Sequence, residues 1–492
     1  MVCSGPRHTS IPWLRYPHHG APPVAADIRR CHISVSPGSD MNRGGRTAIE
    51  PRRNMSTTPE PTPRDDNAMQ PRLSFDRTVI TTNTDEQVHT LVEFTAPAAQ
   101  PIDRPAIDVV FVIDRSGSMS GAPLTAVKQA VHDVTRHLGN NDRCAVVTFG
   151  SDSETVLGLD RHTDQAALQA VRNIESNGMT NLSSGWLRAV DILNGDPRPD
   201  TLRRIVVLTD GHVNRGITEH DGLGDMVTRG RGNSITTSLI GFADGYDEEL
   251  VGALANAGGG NDYWCEGADA AGAVFDTEFD GLGRVVAQNV TIEVRPTPAV
   301  AVAGVMNDFA VTPLTDPAFR VDLGDAYGDE TRSVLLAFNT RPQPAGGTVE
   351  VAQLTLSWVD VTADFAAHTV TVPITVTAGA SGTTDSGADP RVVDEVRILE
   401  AARDRREARR LADDGDTDAA RRLLNRASDD LASVSGFASR TARTEIREDL
   451  DALEANAWSG MHSKRAYSTT REMSRKRSSS FRNAQPDDNP FE

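Results

Sequence analysis

The stretch Ile107-Asp-Val-Val-Phe-Val-Ile-Asp114-Arg-Ser116-Gly-Ser118 decides the fold of this chain. Its run Val-Val-Phe-Val-Ile is apolar at every position, which is typical of a parallel strand buried on both faces. The strand leads directly into a loop that carries one carboxylate and two hydroxyls, and a helical pattern begins near Leu124. In sheets of parallel strands, ligand sites lie beyond the carboxyl ends of the strands. The stretch therefore predicts a central strand that ends in a polar site.

Around this strand, apolar runs alternate with amphipathic helical patterns over residues 105–288. The predicted strands are Asp108–Ile113, Cys144–Phe149, Ile205–Leu208, Ser234–Phe242 and Tyr263–Cys265. The predicted helices are Leu124–Leu138, Gln165–Ile174, Ser183–Leu193, Glu248–Ala257 and Ala270–Val286. Such alternation is typical of a doubly wound, Rossmann-like α/β domain with a mostly parallel sheet.

The flanking segments have other patterns. Residues 290–378 alternate with a period of two, which predicts an antiparallel β-sandwich. Short strand-like runs in residues 72–97 are assigned to the same sandwich, so that the α/β domain is an insertion in it. Residues 379–389 form a linker of Gly, Ser, Thr and Asp, and residues 390–458 read as helices split into a hairpin by a turn near Asp413–Asp416.

Both ends of the chain lack a hydrophobic period. Residues 1–70 are basic and rich in Pro, Arg and Ser, which predicts disorder. The alternative hypothesis is that they are translated upstream sequence and that the true start is Met41, Met55 or Met69. Residues 459–492 are basic and rich in Ser and are predicted to be a disordered tail. No apolar segment of the kind found in secretory signals is seen, so we expect a cytoplasmic protein.

Composition excludes several classes of protein. The chain has 492 residues and a net charge of −19, and both ends are basic, so the body is more acidic than the whole. An acidic body repels nucleic acid and anionic membranes. No run of 18 apolar residues is present, which excludes a membrane-spanning helix. The four cysteines form no C-x-x-C pair, and Cys144 reads as a small core residue.

Two further polar positions are expected at the same sheet edge as the first loop. Asp210 follows the strand Ile205–Leu208, and Thr180 lies in a loop that opens the helix at Ser183. Together with Asp114, Ser116 and Ser118 they supply two carboxylates and three hydroxyls. Hard oxygen ligands of this kind select Mg²⁺, with Mn²⁺ or Ca²⁺ as alternatives. The sequence thus predicts one divalent-cation site built from three loops.

These five residues resemble the metal-ion-dependent adhesion site (MIDAS) of von Willebrand factor type A (VWA) domains, and the resemblance covers about residues 105–288. It implies that Ser116 and Ser118 bind the cation directly. It further implies that Thr180 binds directly or through water, and that Asp114 and Asp210 act largely through water. An open coordination position would take an Asp or Glu carboxylate from a protein partner.

The surrounding architecture resembles prokaryotic and plant VWA proteins that carry an intein-associated β-domain. The plant members with a RING finger are ubiquitin ligases, but the zinc ligands of that finger are absent here. Many relatives have Gly where this chain has Met179, a loop position rather than a ligand. The resemblance also implies that sliding of the helix Ala270–Val286 couples the metal site to neighbouring domains; a plain packing helix is the alternative.

Three functions follow as hypotheses. The first is a metal-ion-dependent protein-binding scaffold. The second is a VWA subunit that works with a separate AAA+ ATPase, as in metal chelatases and remodelling machines, since no nucleotide-binding loop is found in this sequence. The third, an enzyme that uses the cation as a Lewis acid, is disfavoured because the motif contains no general base or nucleophile. We therefore expect a protein that is not an enzyme.

Overall fold

A computed structural model of the chain describes most residues from Met69 onward. The described ranges are 69–99, 104–162, 165–210, 213–242, 246–265, 271–434, 436–475 and 477–478. The predicted disorder of residues 1–70 falls almost entirely outside these ranges.

The described chain begins with three strands and then enters a domain of alternating strands and helices. The first three strands are β1 (Arg72–Phe75), β2 (Val79–Thr81) and β3 (Glu86–Thr95). The strands of the α/β domain are β4 (Ala106–Asp114), β5 (Arg143–Phe149), β6 (Ser153–Asp160), β7 (Thr201–Thr209), β8 (Ile235–Phe242) and β9 (Gly259–Cys265). Its helices are α1 (Ala122–His137), α2 (Gln165–Arg172), α3 (Leu182–Gly195), α4 (His220–Gly232), α5 (Glu248–Gly258) and α6 (Ala271–Leu282).

The six strands form one sheet in the order β6-β5-β4-β7-β8-β9, and every neighbouring pair is parallel except β5 with β6. Strand β4 lies in the interior of this sheet and is buried along almost its whole length. Its alternate side chains enter two different cores: Phe111 packs with residues of α1 and α6, and Val112 packs with residues of α3. The predicted doubly wound α/β fold is therefore confirmed.

Some predicted elements of this domain need correction. Strand β6 and helix α4 were not predicted. The last helix ends at Leu282 rather than Val286, because Val285 already begins the next strand.

Cys144 and Cys265 are buried free thiols, and burial raises the pKa of each to about 12.

After the α/β domain the chain forms two further sheets. Their strands are β10 (Val285–Pro296), β11 (Val300–Val305), β12 (Ala310–Pro313), β13 (Phe319–Tyr327), β14 (Thr331–Thr340), β15 (Thr348–Asp360) and β16 (Ala366–Gly379). One sheet has the order β1-β3-β14-β11, and the other has the order β12-β13-β10-β15-β16-β2. Strands from before and after the α/β domain thus pair with each other, so this domain interrupts them. The pairing of β2 with β16 is parallel, unlike the antiparallel pattern predicted for this region.

Four α-helices follow β16 in the described chain: α7 (Pro390–Asp413), α8 (Thr417–Asp430), α9 (Phe437–Glu454) and α10 (Gly460–Arg475). A two-residue strand, β17 (Arg477–Ser478), pairs with β14. The predicted hairpin is therefore too short, because α9 adds a third helix to residues 390–458. The prediction of a disordered tail from residue 459 is wrong for Gly460–Arg475, where basic side chains pair with acids of the α/β domain. Within the described ranges, no helix is long and apolar enough to cross a membrane.

Candidate metal-binding site

Three loops meet at the carboxyl edge of the central sheet. Asp114 is the last residue of β4, Asp210 directly follows β7, and Thr180 lies two residues before α3. The loops can meet because α3 packs tightly on the sheet: a Cβ at Gly185 of α3 would lie 2.9 Å from side-chain atoms of Phe149 and Val112. The fold therefore places the predicted metal ligands on one edge of one sheet.

Asp114 is fully buried at the centre of this edge. Its Oδ1 accepts a hydrogen bond from the backbone N–H of Ser116 at 2.8 Å, and its Oδ2 accepts one from the hydroxyl of Thr209 at 2.7 Å. These two bonds fix the orientation of the carboxylate and the start of the following loop. Sequence reasoning missed Thr209, although its place beside Asp210 at the end of a strand is a usable signal.

The hydroxyls of the first loop form a chain of oxygens that leads to Asp210. Ser116 Oγ lies 3.1 Å from Ser118 Oγ, which donates to Asp210 Oδ1 at 2.9 Å. Neighbouring ligands of an octahedral Mg²⁺ at ~2.1 Å are about 3.0 Å apart. The two measured separations match this spacing, so the oxygens are already placed as adjacent ligands would be. The arrangement fits a small, hard cation.

Backbone hydrogen bonds hold Thr180 against the loop that follows β7. Its N–H donates to the side-chain oxygen of Asn214 at 2.9 Å, and its carbonyl accepts from the N–H groups of Asn214 and Arg215 at 3.2 Å each. Asn214 lies four residues after Asp210, so it ties the second and third loops together. It is a supporting residue that the sequence motif did not reveal, because nothing in its local pattern marks it.

The loop before Thr180 is also held by the first loop. Gly117 N–H donates to the carbonyl of Gly178 at 3.3 Å, and Gly178 has a φ of +90°, which favours glycine. The N–H of Met179 donates to the hydroxyl of Ser151 at 3.1 Å. The Met179 side chain is 45% exposed, so this departure from the usual glycine places a side chain at the surface.

The electrostatics of the site favour a bound cation. Burial raises the pKa of Asp114 to about 6, its hydrogen bonds from Thr209 and Ser116 oppose the rise, and the neighbouring charge of Asp210 adds to it. A divalent ion would remove this penalty by neutralising both carboxylates. Among the described residues, no group of three His, Cys, Asp or Glu is placed to hold a metal; the site predicted here contains two carboxylates, and its other predicted ligands are hydroxyls.

Comparison with known proteins identifies the class of the α/β domain. A sequence model of the von Willebrand factor type A domain matches residues 108–273. A solved structure described as von Willebrand factor type A from Catenulispora acidiphila superposes with a TM-score of 0.65 at 17% identity, covering 84% of this chain and 98% of that one. At that identity, the likeness shows a shared fold alone.

Two curated relatives match in sequence. The uncharacterised protein YfbK of Escherichia coli (strain K12) is 27% identical over 211 residues, covering 42% of this chain and 37% of that protein. The uncharacterised protein sll0103 of Synechocystis sp. (strain ATCC 27184 / PCC 6803 / Kazusa) is 25% identical over 240 residues, covering 47% and 56% respectively. The chain thus spans less than two thirds of the length of either relative.

The fold and the matched sequence define the class of the central domain. Residues 108–273 form a VWA domain, as the resemblance of the sequence indicated. Domains of this class are commonly metal-dependent modules for protein interaction. The likeness to the Catenulispora protein extends beyond that domain, since it covers 84% of this chain.

Proposed function

We propose that this protein is a metal-ion-dependent protein-binding scaffold whose VWA domain carries an intact MIDAS. In this proposal Asp114, Ser116, Ser118, Thr180 and Asp210 hold a divalent cation, with Mg²⁺ as the physiological ion and Mn²⁺ or Ca²⁺ as alternatives. The observation that carries it is the chain of oxygens from Ser116 through Ser118 to Asp210, whose separations match those of adjacent metal ligands.

The cation would bind a carboxylate of the partner. In this proposal the two carboxylates act largely through water, so the direct ligands are neutral hydroxyls around an ion that prefers six oxygens. An Asp or Glu of a partner protein supplies a direct ligand that carries a negative charge. Binding of this kind breaks no covalent bond. The two serine hydroxyls bond to each other and to a carboxylate, whereas a serine nucleophile needs a basic partner such as histidine.

The proposal also covers the remainder of the chain. It takes the two sheets outside the VWA domain as an intein-associated β-domain, and it keeps the cytoplasm as the location expected from the sequence. The alternative, a subunit of a separate AAA+ ATPase, uses the same metal site with a different partner. The two functions therefore share the first experiment below and differ in the identity of the protein that is captured.

Metal binding is tested by titration calorimetry with Mn²⁺ and Mg²⁺. We expect the double variant Ser116→Ala/Ser118→Ala to bind at least tenfold more weakly than the wild type, because it loses two direct ligands. Ser120→Ala is the matched control, since Ser120 is an exposed serine just beyond the same loop. Equal affinity of the double variant and the wild type would contradict the proposal.

Partner binding is tested by pull-down from native lysate in Mg²⁺, with chelator and with the double variant as parallel samples. Proteins lost in both parallel samples are the expected partners. Capture of a AAA+ ATPase favours the alternative function, and capture of other proteins favours the scaffold. A set of interactors that is the same with and without metal would refute both.

A further inference from the structure

A groove lies beside the proposed metal site, between helix α3 and the edge strand β6. It has a volume of about 490 Å³ and is lined by Ser153, Thr155, Ser184, Leu187, Arg188 and Ile192, together with Asp191. Both walls of the groove start at the loops of the site. Helix α3 begins two residues after Thr180, and the N–H of Asn181 donates at 2.9 Å to the carbonyl of Gly150 in the loop that leads to β6.

Large apolar side chains are exposed along this side of the site. Met179 is 45% exposed and Leu187 is 47% exposed, and the two residues flank the segment that carries Thr180 and the start of α3. Single exposed apolar residues are ordinary on protein surfaces. Here Met179 is next to the predicted ligand Thr180 and Leu187 lines the adjoining groove, so a segment that runs from the proposed metal site into the groove would pass both.

Strand β6 offers backbone groups to such a ligand. It is the outermost strand of its sheet, and its first residues pair regularly with β5, as in Ser153 with Phe149 and Thr155 with Val147. No strand in the described part of the chain pairs with the outer side of β6. An extended segment can add to an edge of this kind through main-chain hydrogen bonds.

The strand register sets the spacing between the metal and this edge. Asp114 pairs with Phe149, and Phe149 pairs with Ser153. Strands are ~4.8 Å apart, so a strand added outside β6 lies about 15 Å from Asp114. An extended chain advances ~3.3 Å per residue, so about four to six residues span the distance from the metal-bound carboxylate to the first residue that pairs with β6.

The lining of the groove contains one cation, Arg188, and one acid, Asp191. The exposed Arg188 donates from Nε to the hydroxyl of Ser153 at 3.0 Å. The acids Asp152, Glu154 and Asp191 are exposed nearby, so a highly acidic segment would be repelled. One carboxylate for the metal and one for Arg188, separated by apolar or neutral residues, is the composition that this surface fits.

On the basis of the function proposed above, we propose that the partner docks as an extended segment. An Asp or Glu of this segment binds the metal, and the residues four to six positions away pair with β6. The paired residues place an apolar side chain on Leu187 and an acidic side chain near Arg188. The groove then determines which carboxylate-bearing proteins are bound.

The test uses a phage library of random dodecapeptides that is selected on the full chain in Mg²⁺ and eluted with EDTA. We expect the eluted peptides to share one acidic residue and one run of alternating apolar and polar residues. The two features should be separated by four to six positions, in either order along the peptide. Affinities of the selected synthetic peptides should fall at least tenfold for Leu187→Asp and for Arg188→Glu. Phe437→Asp, at an exposed aromatic residue of α9, is the matched control and should leave affinity unchanged.

A charge exchange separates direct contact from a general effect of the substitutions. A peptide in which the second acid is replaced by Lys should bind the Arg188→Glu variant better than the wild type. If EDTA-eluted peptides bind the Leu187→Asp and Arg188→Glu variants as tightly as the wild type, the groove proposal is wrong and the metal-dependent function stands. If no peptide is eluted by EDTA, both the docking mode and the proposed function are overturned.

Discussion

At the scale of single residues, Asp114 is completely buried, although the role proposed for it in metal binding needs its negative charge. Burial raises its pKa to about 6, although two hydrogen bonds favour the charged form. A carboxyl whose pKa is higher in the folded than in the unfolded chain contributes stability below its unfolded pKa and loses it as pH rises through its folded pKa. The metal-free fold therefore carries a free-energy penalty at neutral pH that a cation bound at the proposed site would remove.

The first prediction concerns the pH dependence of metal binding. Protons compete with the cation below about pH 6, because protonated Asp114 carries no charge. We expect the apparent affinity for Mn²⁺ to be about tenfold lower at pH 5 than at pH 7.5. Calorimetric titrations at the two pH values measure the difference. Identical affinities at both would show that ionisation of this carboxylate does not control binding.

The second prediction concerns Asp114→Asn. A rise in pKa from 3.8 to about 6 corresponds to a penalty of about 3 kcal/mol for the ionised group. In EDTA at pH 7.5, the variant should therefore be at least as stable to urea as the wild type, while the rise in Tm on adding Mg²⁺ should be lost.

Asp142→Asn is the matched comparison for the second prediction. Arg104 and backbone N–H groups hold the pKa of the buried Asp142 below its usual range, although burial itself acts in the opposite direction. Loss of this charge should lower the free energy of unfolding. The interpretation of Asp114 is wrong if both variants are destabilised alike in EDTA.

At the scale of secondary-structure elements, helix α6 is held by one buried carboxylate. Glu278 accepts hydrogen bonds from Ser238 Oγ at 2.6 Å and from Asn261 Nδ2 and Tyr263 OH at 2.9 Å each. Asn261 also donates to the hydroxyl of Tyr327, outside the VWA domain, at 2.8 Å. If α6 slides as the VWA resemblance implies, this cluster must rearrange, so it sets how easily the helix moves.

The third prediction is that Glu278→Gln loosens α6. The amide has an N–H donor where the carboxylate has an acceptor oxygen, and this donor faces the groups that now donate to Glu278. We expect the free energy of unfolding to fall by about 1–3 kcal/mol. Hydrogen exchange of the backbone amides in α6 should become faster, with little change in α1 on the same face of the sheet. Asp276→Asn, on an exposed position of α6, is the control. Unchanged exchange in α6 would mean that the cluster does not limit its motion.

At the scale of the whole molecule, basic side chains of the last helix attach the helical region to the VWA domain. Arg471 of α10 makes two bonds with Asp262, at 2.7 and 2.9 Å, and a third with the carbonyl of Gly252 at 3.0 Å. Lys464 donates to the carbonyl of Tyr246 at 2.6 Å and lies over its ring. These cations are buried, so their contacts are screened by salt far less than surface pairs are.

The fourth prediction concerns Arg471→Met. Removal of one partner from a buried ion pair leaves a carboxylate poorly compensated, and such changes typically cost about 3–5 kcal/mol. Arg475 also contacts Asp262, so the lower end of this range is expected. Urea unfolding and limited proteolysis between α9 and α10 measure the loss.

Arg447→Met provides the comparison for the fourth prediction. Arg447 pairs with Asp451 on the exposed surface of α9, where a loss of less than about 1 kcal/mol is expected. Equal losses for the two variants would show that burial of the pair at Arg471 contributes nothing.

The sequence by itself determined the α/β fold of the VWA domain and a hypothesis for its metal site. A strand such as Val109–Ile113 has no polar position, so it must be buried on both faces, and the residues that follow it must lie at the sheet edge. This inference depends only on residues that are neighbours in the chain. It therefore predicted correctly that Asp114 and Asp210 each lie at the end of a buried strand.

Only the tertiary structure decided the features that depend on distant partners. Asn214 supports Thr180 across 34 positions, and Arg471 meets Asp262 across 209. The segment that forms α10 reads as a solvated basic tail, and it becomes an ordered helix because acids of the VWA domain neutralise its charges. Local patterns report how a segment partitions between water and an apolar interior, whereas the free energy of a buried ion pair depends on where both of its partners lie.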